Sequence, residues 1–269
     1  MDTTIAPLAP IFLSHGSPMT ALEPGEVGLF WQRLGPALAA GGKPKAILAV
    51  SAHSLAREPL LMAADRHSTV HDFGGFPAPL YQLRYDSPGA PALAQPVAML
   101  LHGAGLPAHL TKDGGLDHGI WAPLRFVWPD ADIPVLPLAF PPDWSPTQLM
   151  ALGRALAPLT QQGVLIYATG SITHNLRLLS GPGGRPALAA PEIPQSAAFR
   201  HWFAQHSAAA DWPALLDYRQ QAPHAALMHP SDEHLLPFYV AGGAAGATPV
   251  GLRLHDSLTY GCLGMDAYA

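Results

Sequence analysis

The sequence predicts an α/β fold, a single domain with a mostly parallel central sheet flanked by helices. Three observations carry this expectation. Short apolar runs of strand length recur along the chain, helical stretches alternate with them, and neither an internal repeat nor a linker-like low-complexity run divides the 269 residues. Strand–helix alternation builds parallel strands covered by helices on both faces. The expected unit is therefore one catalytic domain spanning residues 1–269.

The elements follow in order. The expected strands are Pro10–Leu13, Ala46–Val50, Ile133–Ala139, Val164–Tyr167 and Pro249–Leu254, each of strand length and flanked by turn residues. The expected helices are Val27–Ala39, Ala90–Leu101, Ile120–Val127, Pro146–Ala157, Ser196–His206 and Glu233–Ala241. Pro146 after Ser145 suits a helix start with proline in the first turn. Asp232, just before Glu233, is a candidate cap for the last helix. Gly181–Ala190 (GPGGRPALAA) is the clearest loop.

Composition narrows the function classes. Hydrophobic residues make up 49% of the chain and charged residues 12%, which allows a large buried core and excludes disorder. A formal charge of −5 with 14 scattered Lys and Arg leaves no basic footprint for nucleic acid. The single cysteine, Cys262, excludes an internal disulfide and thiolate metal sites. MDTTIAPLAP lacks the basic and apolar regions of a signal peptide. The longest uncharged stretch, Ala155–Leu176, is too polar for a membrane helix. A cytoplasmic protein with no membrane contact is expected.

Thirty prolines imply long ordered loops, and 14 histidines equal Lys and Arg combined. Position decides what the histidines mean. Three strand candidates deliver one at or just past the carboxyl end: IFLS runs into His15, AILAVSA into His53, and VLIYATGSIT into His174. In open α/β sheets ligands bind beyond those ends, so the three imidazoles can meet in one crevice. One such histidine alone reads as a loop or capping residue; three together point to metal or catalytic use. His118, in GGLDHGIW, sits in a glycine-rich loop where Asp117 could orient an imidazole. His229 and His234, in HPSDEHLLPF with Asp232 and Glu233, form the densest ligand cluster, or else a solvated loop and helix cap. His71 opens HDFGGFPAPLYQLRY, either a loop over a pocket or a proline-rich surface loop above Phe73, Phe76 and Tyr81. His67, His102, His109, His201, His206, His224 and His255 follow no pattern. Dinucleotide, P-loop, HExxH and GxSxG signatures are absent.

Taken in order, LSHGSPM, SAHS, HDFGGFP, LDHGIWAPL, ATGSITHNL and PSDEHLLPF resemble the class III extradiol ring-cleavage dioxygenases, in particular the 4,5-DOPA dioxygenase branch. The resemblance runs from Phe12 to about Leu263. It implies a non-haem metal held by His15, His53 and His234, with His174 as catalytic base and His118 as a second active-site histidine. A carboxylate replaces the third histidine in protocatechuate-type relatives, so Glu233, adjacent to His234, competes for that place. The implied cofactor is Fe(II), with Zn(II) able to occupy the same site, and the partners are O2 and a small-molecule catechol. The oligomeric state, monomer or homodimer, stays open. Arg125, Arg177 and Lys112 are the candidates for pairing with a substrate carboxylate. Two rival readings are a zinc hydrolase on the same histidines and a non-enzymatic relative holding a metal or peptide.

Overall fold

The structure is a computed structural model that describes residues 8–180, 184–246 and 251–269. Its centre is an eight-stranded mixed sheet. The strands are β1 (Ile11–Ser14), β2 (Ala46–Ser51), β3 (Leu60–Met62), β4 (His109–Thr111), β5 (Val135–Ala139), β6 (Val164–Gly170), β7 (Arg253–His255) and β8 (Ala267–Tyr268), in the spatial order β7-β8-β1-β6-β2-β5-β3-β4. The middle four, β1-β6-β2-β5, are parallel to one another. β3 joins β5 antiparallel, and β8 and β7 close the other edge antiparallel.

Every residue of β2 and of β6 is buried. A strand covered on both faces has no reason to alternate apolar with polar, which is why these runs read as continuous. Their side chains still alternate between two cores. Phe12, Leu48, Val50 and Ile166 face a core shared with Leu149 and Leu152 of helix α4 (Pro146–Leu156), Phe203 of α5 (Pro194–Ala208) and Phe238 of α6 (Leu236–Ala244). Ile11, Leu13, Ile47 and Leu165 face the other, with Trp31 and Leu34 of α1 (Gly25–Leu38) and Ile120, Trp121 and Leu124 of α3 (His118–Val127). Burying each such side chain is worth about 1.5–3 kcal/mol. α4 opens on a capping box: Ser145 Oγ accepts from Gln148 N while Gln148 Oε1 accepts from Ser145 N.

The first four expected strands and the first five helices are present, their ends shifted by at most three residues, with α2 at Pro91–Gly103. The last helix is a correction. It begins at Leu236, three residues later than expected, because Pro237 lies in its first turn and residues 231–235 form turns. Asp232 does not cap it through its side chain; that carboxylate takes the Tyr218 hydroxyl and the Arg219 guanidinium. Of the expected strand Pro249–Leu254, residues 249–250 lie outside the described residues, and its remainder contributes to β7 at the sheet edge. Residues 181–183 of the expected loop also lie outside them; Gly184–Ala190 carries no helix. β3, β4, β8 and the short helices Trp212–Leu216, Tyr218–Gln221 and Ala225–Met228 are too brief to impose a period on the sequence. No helix among the described residues is long and apolar enough to cross a membrane.

Candidate metal centre

The parallel strands end together, and their carboxyl ends carry the histidines. His15 follows β1 directly; its N–H donates to Gly170 O at 3.0 Å, prolonging the β1–β6 pairing by one residue. Its Nδ1 meets Thr169 Oγ1, from β6, at 3.0 Å. Gly16 then turns the chain away at φ +69°, a conformation that a side chain resists. His53 lies two residues past β2, where Ser51 Oγ accepts from its backbone N–H at 3.2 Å.

His234 arrives from the other direction, in the turn before α6. Its carbonyl accepts from Ser171 N at 2.8 Å, which docks that turn on the end of β6. Gly170 makes the docking feasible, because a Cβ there would stand 2.0 Å from the His234 carbonyl oxygen.

These placements bring three imidazole nitrogens to one point. His53 Nε2 lies 3.0 Å from His15 Nε2 and 3.3 Å from His234 Nε2. His15 and His234 are only 2% and 4% exposed. Burial, reinforced by neighbouring imidazoles, holds both well below the ordinary histidine range, and burial lowers His53 as well. Neutral imidazoles are what a cation requires of its ligands. The outer nitrogens settle which atom faces inward. Glu233 Oε1 lies 2.9 Å from His234 Nδ1. A carboxylate only accepts, so Nδ1 carries the proton and Nε2 presents a lone pair. The donor set therefore fits a divalent metal whose ligands are imidazoles. The Glu233–His234 contact is of the kind by which a carboxylate commonly orients a ligand histidine.

Two further histidines border the triad. His118 is the first residue of α3, and Asp72 receives both its backbone N–H and its Nδ1–H, each at 2.9 Å. His118 Nε2 is thereby left as the free acceptor. The histidine side chain lowers the Asp72 carboxyl despite opposing desolvation. His174 lies flat against His234, with ring centroids 3.4 Å apart and planes 8° from parallel. Burial, with His229 second, pushes His174 down to about 3.

The expected orienting role of Asp117 is corrected. Its two carboxylate oxygens accept from Ser51 Oγ and Ser54 Oγ, each at 2.7 Å, and it caps α3 through Ile120 N. It ties the end of β2 to the start of α3; Asp72 is the partner of His118. The signal for Asp72 was its neighbourhood in HDFGGFP, but a loop carboxylate has no period that aims it at a helix start forty-six residues later. His229 stands behind His174 and outside the triad; its Nε2 meets Ile172 O at 2.7 Å. His71 pairs with Leu83 O at 3.2 Å, while its neighbours Asp72, Phe73 and Phe76 line the site. The HDFGGFP segment is thus a loop over a pocket.

That pocket has a volume of about 290 Å³. His53, His118, His174 and His234 form its polar end, and Phe73, Phe76, Leu176, Leu179 and Leu263 form apolar walls. Its size stands at the small end of ligand sites, about 300–1,000 Å³, which suits a single-ring molecule. Arg125, Arg177 and Lys112 do not line it; Arg185, which the sequence did not single out, does.

Comparison with known proteins follows the same lines. Residues 9–265 match the family described as the catalytic LigB subunit of aromatic ring-opening dioxygenase. The chain is 38% identical over 258 residues to a 4,5-DOPA dioxygenase extradiol of Beta vulgaris, covering 96% of this chain and 94% of that protein. It is 35% identical over 260 residues to a 4,5-DOPA dioxygenase extradiol of Escherichia coli strain K12, covering 95% and 92%. A crystal structure of an uncharacterized protein from Escherichia coli K12 superposes with a TM-score of 0.77 at 30% identity, covering 96% of this chain and 98% of that one.

Proposed function

The chain belongs to the LigB family of aromatic ring-opening dioxygenases and is an extradiol dioxygenase, and from that premise we propose that it opens the ring of a catechol on Fe(II) held by His15, His53 and His234. The single observation that carries the reading is the meeting of three imidazole Nε2 atoms, those of buried His15 and His234 and half-buried His53, beside an apolar, ring-sized pocket that His53 and His234 line. Zn(II) fits the same donors, so a zinc-loaded form is an expected inactive state of the same site. A role in aromatic-compound catabolism in the cytoplasm accords with this chemistry and with the one buried cysteine, Cys262.

Bound Fe(II) would supply a Lewis acid that acidifies a catechol hydroxyl, together with electrons for dioxygen. The chain's own residues do the rest. Phe73, Phe76, Leu179 and Leu263 exclude water and hold the substrate ring against the histidine face. His174 is neutral at working pH and accepts the hydroxyl proton; an anionic substrate beside it favours the resulting imidazolium. His118, its tautomer fixed by Asp72, presents Nε2 to the same space and serves as the second proton carrier.

Oxygen uptake tests the reading. After anaerobic loading with Fe(II), a catechol should consume O2 in one-to-one ratio and yield a yellow ring-opened semialdehyde. No uptake across a panel of catechols, with iron bound, would refute it. Hydrolysis by the zinc-loaded form in place of oxygen uptake would move the assignment to the hydrolase reading.

A further inference from the structure

The segment Cys262–Asp266 touches two of the strand ends that deliver histidines. On one side Asp266 O accepts from Ser14 N at 3.0 Å, which prolongs the β1–β8 pairing to the residue before His15. On the other, Thr173 Oγ1 accepts from Gly264 N and donates to Cys262 O, each at 2.7 Å, one residue before His174. Thr173 is wholly buried. Met265 lies between these two stations and packs against Gly16, where a Cβ would stand 2.7 Å from the methionine sulfur. One short segment thus spans from the loop that carries His15 to the loop that carries His174.

What grips this segment is an arginine outside the pocket. Arg200, on α5, is 5% exposed, and Asp266 is wholly buried. The guanidinium donates through Nε to Asp266 Oδ2 at 2.8 Å and through a terminal nitrogen to Asp266 Oδ1 at 3.2 Å. Its other bonds go to Glu192, Asp256 and Ser257 O. Arg253, half-buried, adds one contact to Asp266 Oδ1 at 3.2 Å. Gly264 lets the guanidinium lie flush on the segment, because a Cβ there would stand 2.8 Å from Arg200 Nε. A planar fork of donors suits this two-point grip, and an ammonium does not.

We propose that Arg200 is a positioning residue for the reaction: through Asp266 it holds Cys262–Asp266 as a clamp between the loops of His15 and His174, fixing the metal ligand and the proton acceptor in register. The inference rests on the dioxygenase reading above for the roles of those two histidines. Catalysis is sensitive to such spacing, since a displacement of about 1 Å can cost about 10²-fold in rate.

The test reads the two ends of the clamp separately. Zn(II) affinity, by competition with a chromophoric chelator, reports the His15 end. The kcat per bound iron, from oxygen uptake with catechol, reports the His174 end. Arg200→Lys keeps the charge and loses the fork; it should weaken Zn(II) binding and lower kcat, each about tenfold. Asp266→Asn, which keeps the shape and drops the charge, should do the same and stands in if Arg200→Lys fails to fold. Thr173→Val cuts only the His174 end and should lower kcat while Zn(II) affinity holds. The double variant Arg200→Lys/Thr173→Val should lose little more kcat than the worse single variant, because both cuts release one segment. A fall in urea midpoint with Zn(II) affinity and kcat per bound iron at wild-type values would leave Arg200 a structural role only and overturn the proposal. Losses in kcat that multiply in the double variant would overturn it too. Absence of oxygen uptake in wild type would refute the dioxygenase reading, while Zn(II) affinity still decides whether Arg200 positions His15.

Discussion

His174 stacks face to face on His234, ring centroids 3.4 Å apart, so the proposed proton acceptor and a proposed metal ligand share one surface without sharing a hydrogen bond. Removing one ring need not displace the other, because His234 keeps Glu233 at its Nδ1 and Ser171 at its carbonyl.

His174→Ala should therefore cut kcat by about 10²–10⁴-fold, the usual worth of a positioned base, while metal content stays near that of wild type. Steady-state oxygen uptake alongside elemental analysis reads both. Loss of the metal in this variant would show that His174 is a ligand rather than a base.

Asp72→Asn should keep His118 in place but loosen its tautomer, because an amide can donate as well as accept. A fall in kcat of about 10–100-fold is expected, in line with the loss of a carboxylate that orients an imidazole. Unaltered kcat and pH profile would remove His118 from the proton path.

Gly170→Ala would put a methyl group 2.0 Å from the His234 carbonyl, against backbone that cannot yield cheaply. Destabilisation of about 1–3 kcal/mol is expected, with weakened metal retention, since the turn that carries His234 must lift. Urea denaturation and metal content report the two effects. Wild-type values for both would mean that the turn is not fastened there.

Acid should destabilise the protein, and His229 contributes one defined window of that loss. Burial lowers its folded-state value to about 4, against 6.5 for an exposed histidine. The unfolded chain thus takes up the proton first. The stability is fully present above about pH 6.5, is lost as pH falls toward 4, and changes no further below that. The drop from this one group is about 3 kcal/mol. Burial also lowers His67 and the site histidines His15, His53, His174 and His234, which act with the same sign and extend the loss below the His229 window. Urea midpoints between pH 7.5 and 4.5 measure it, and the slope should shrink in His229→Gln. A flat profile would mean that His229 is solvated.

Much of this was legible in the sequence, for reasons that are physical. β2 and β6 are buried on both faces, so their apolar runs were continuous, and the histidines beyond them fell at the carboxyl ends, where a parallel sheet places its ligands. His118 was expected in a glycine-rich loop and took its role from the resemblance; it is instead the first residue of α3, which Asp117 caps. What escaped was long-range pairing. Asp72 meets His118 across forty-six residues, Arg185 reaches the pocket from an irregular segment, and His234 lies on a turn that Pro237 and Gly170 set rather than on the helix that its spacing suggested. None of these leaves a period in the sequence.

The central claim is that His15, His53 and His234 hold one catalytic ion, and anaerobic Fe(II) titration of the purified chain tests it most directly. The account predicts one iron per chain in wild type and loss of that binding in His15→Ala, His53→Ala and His234→Ala, each folded by circular dichroism. Full stoichiometric iron in any one of the three would contradict it.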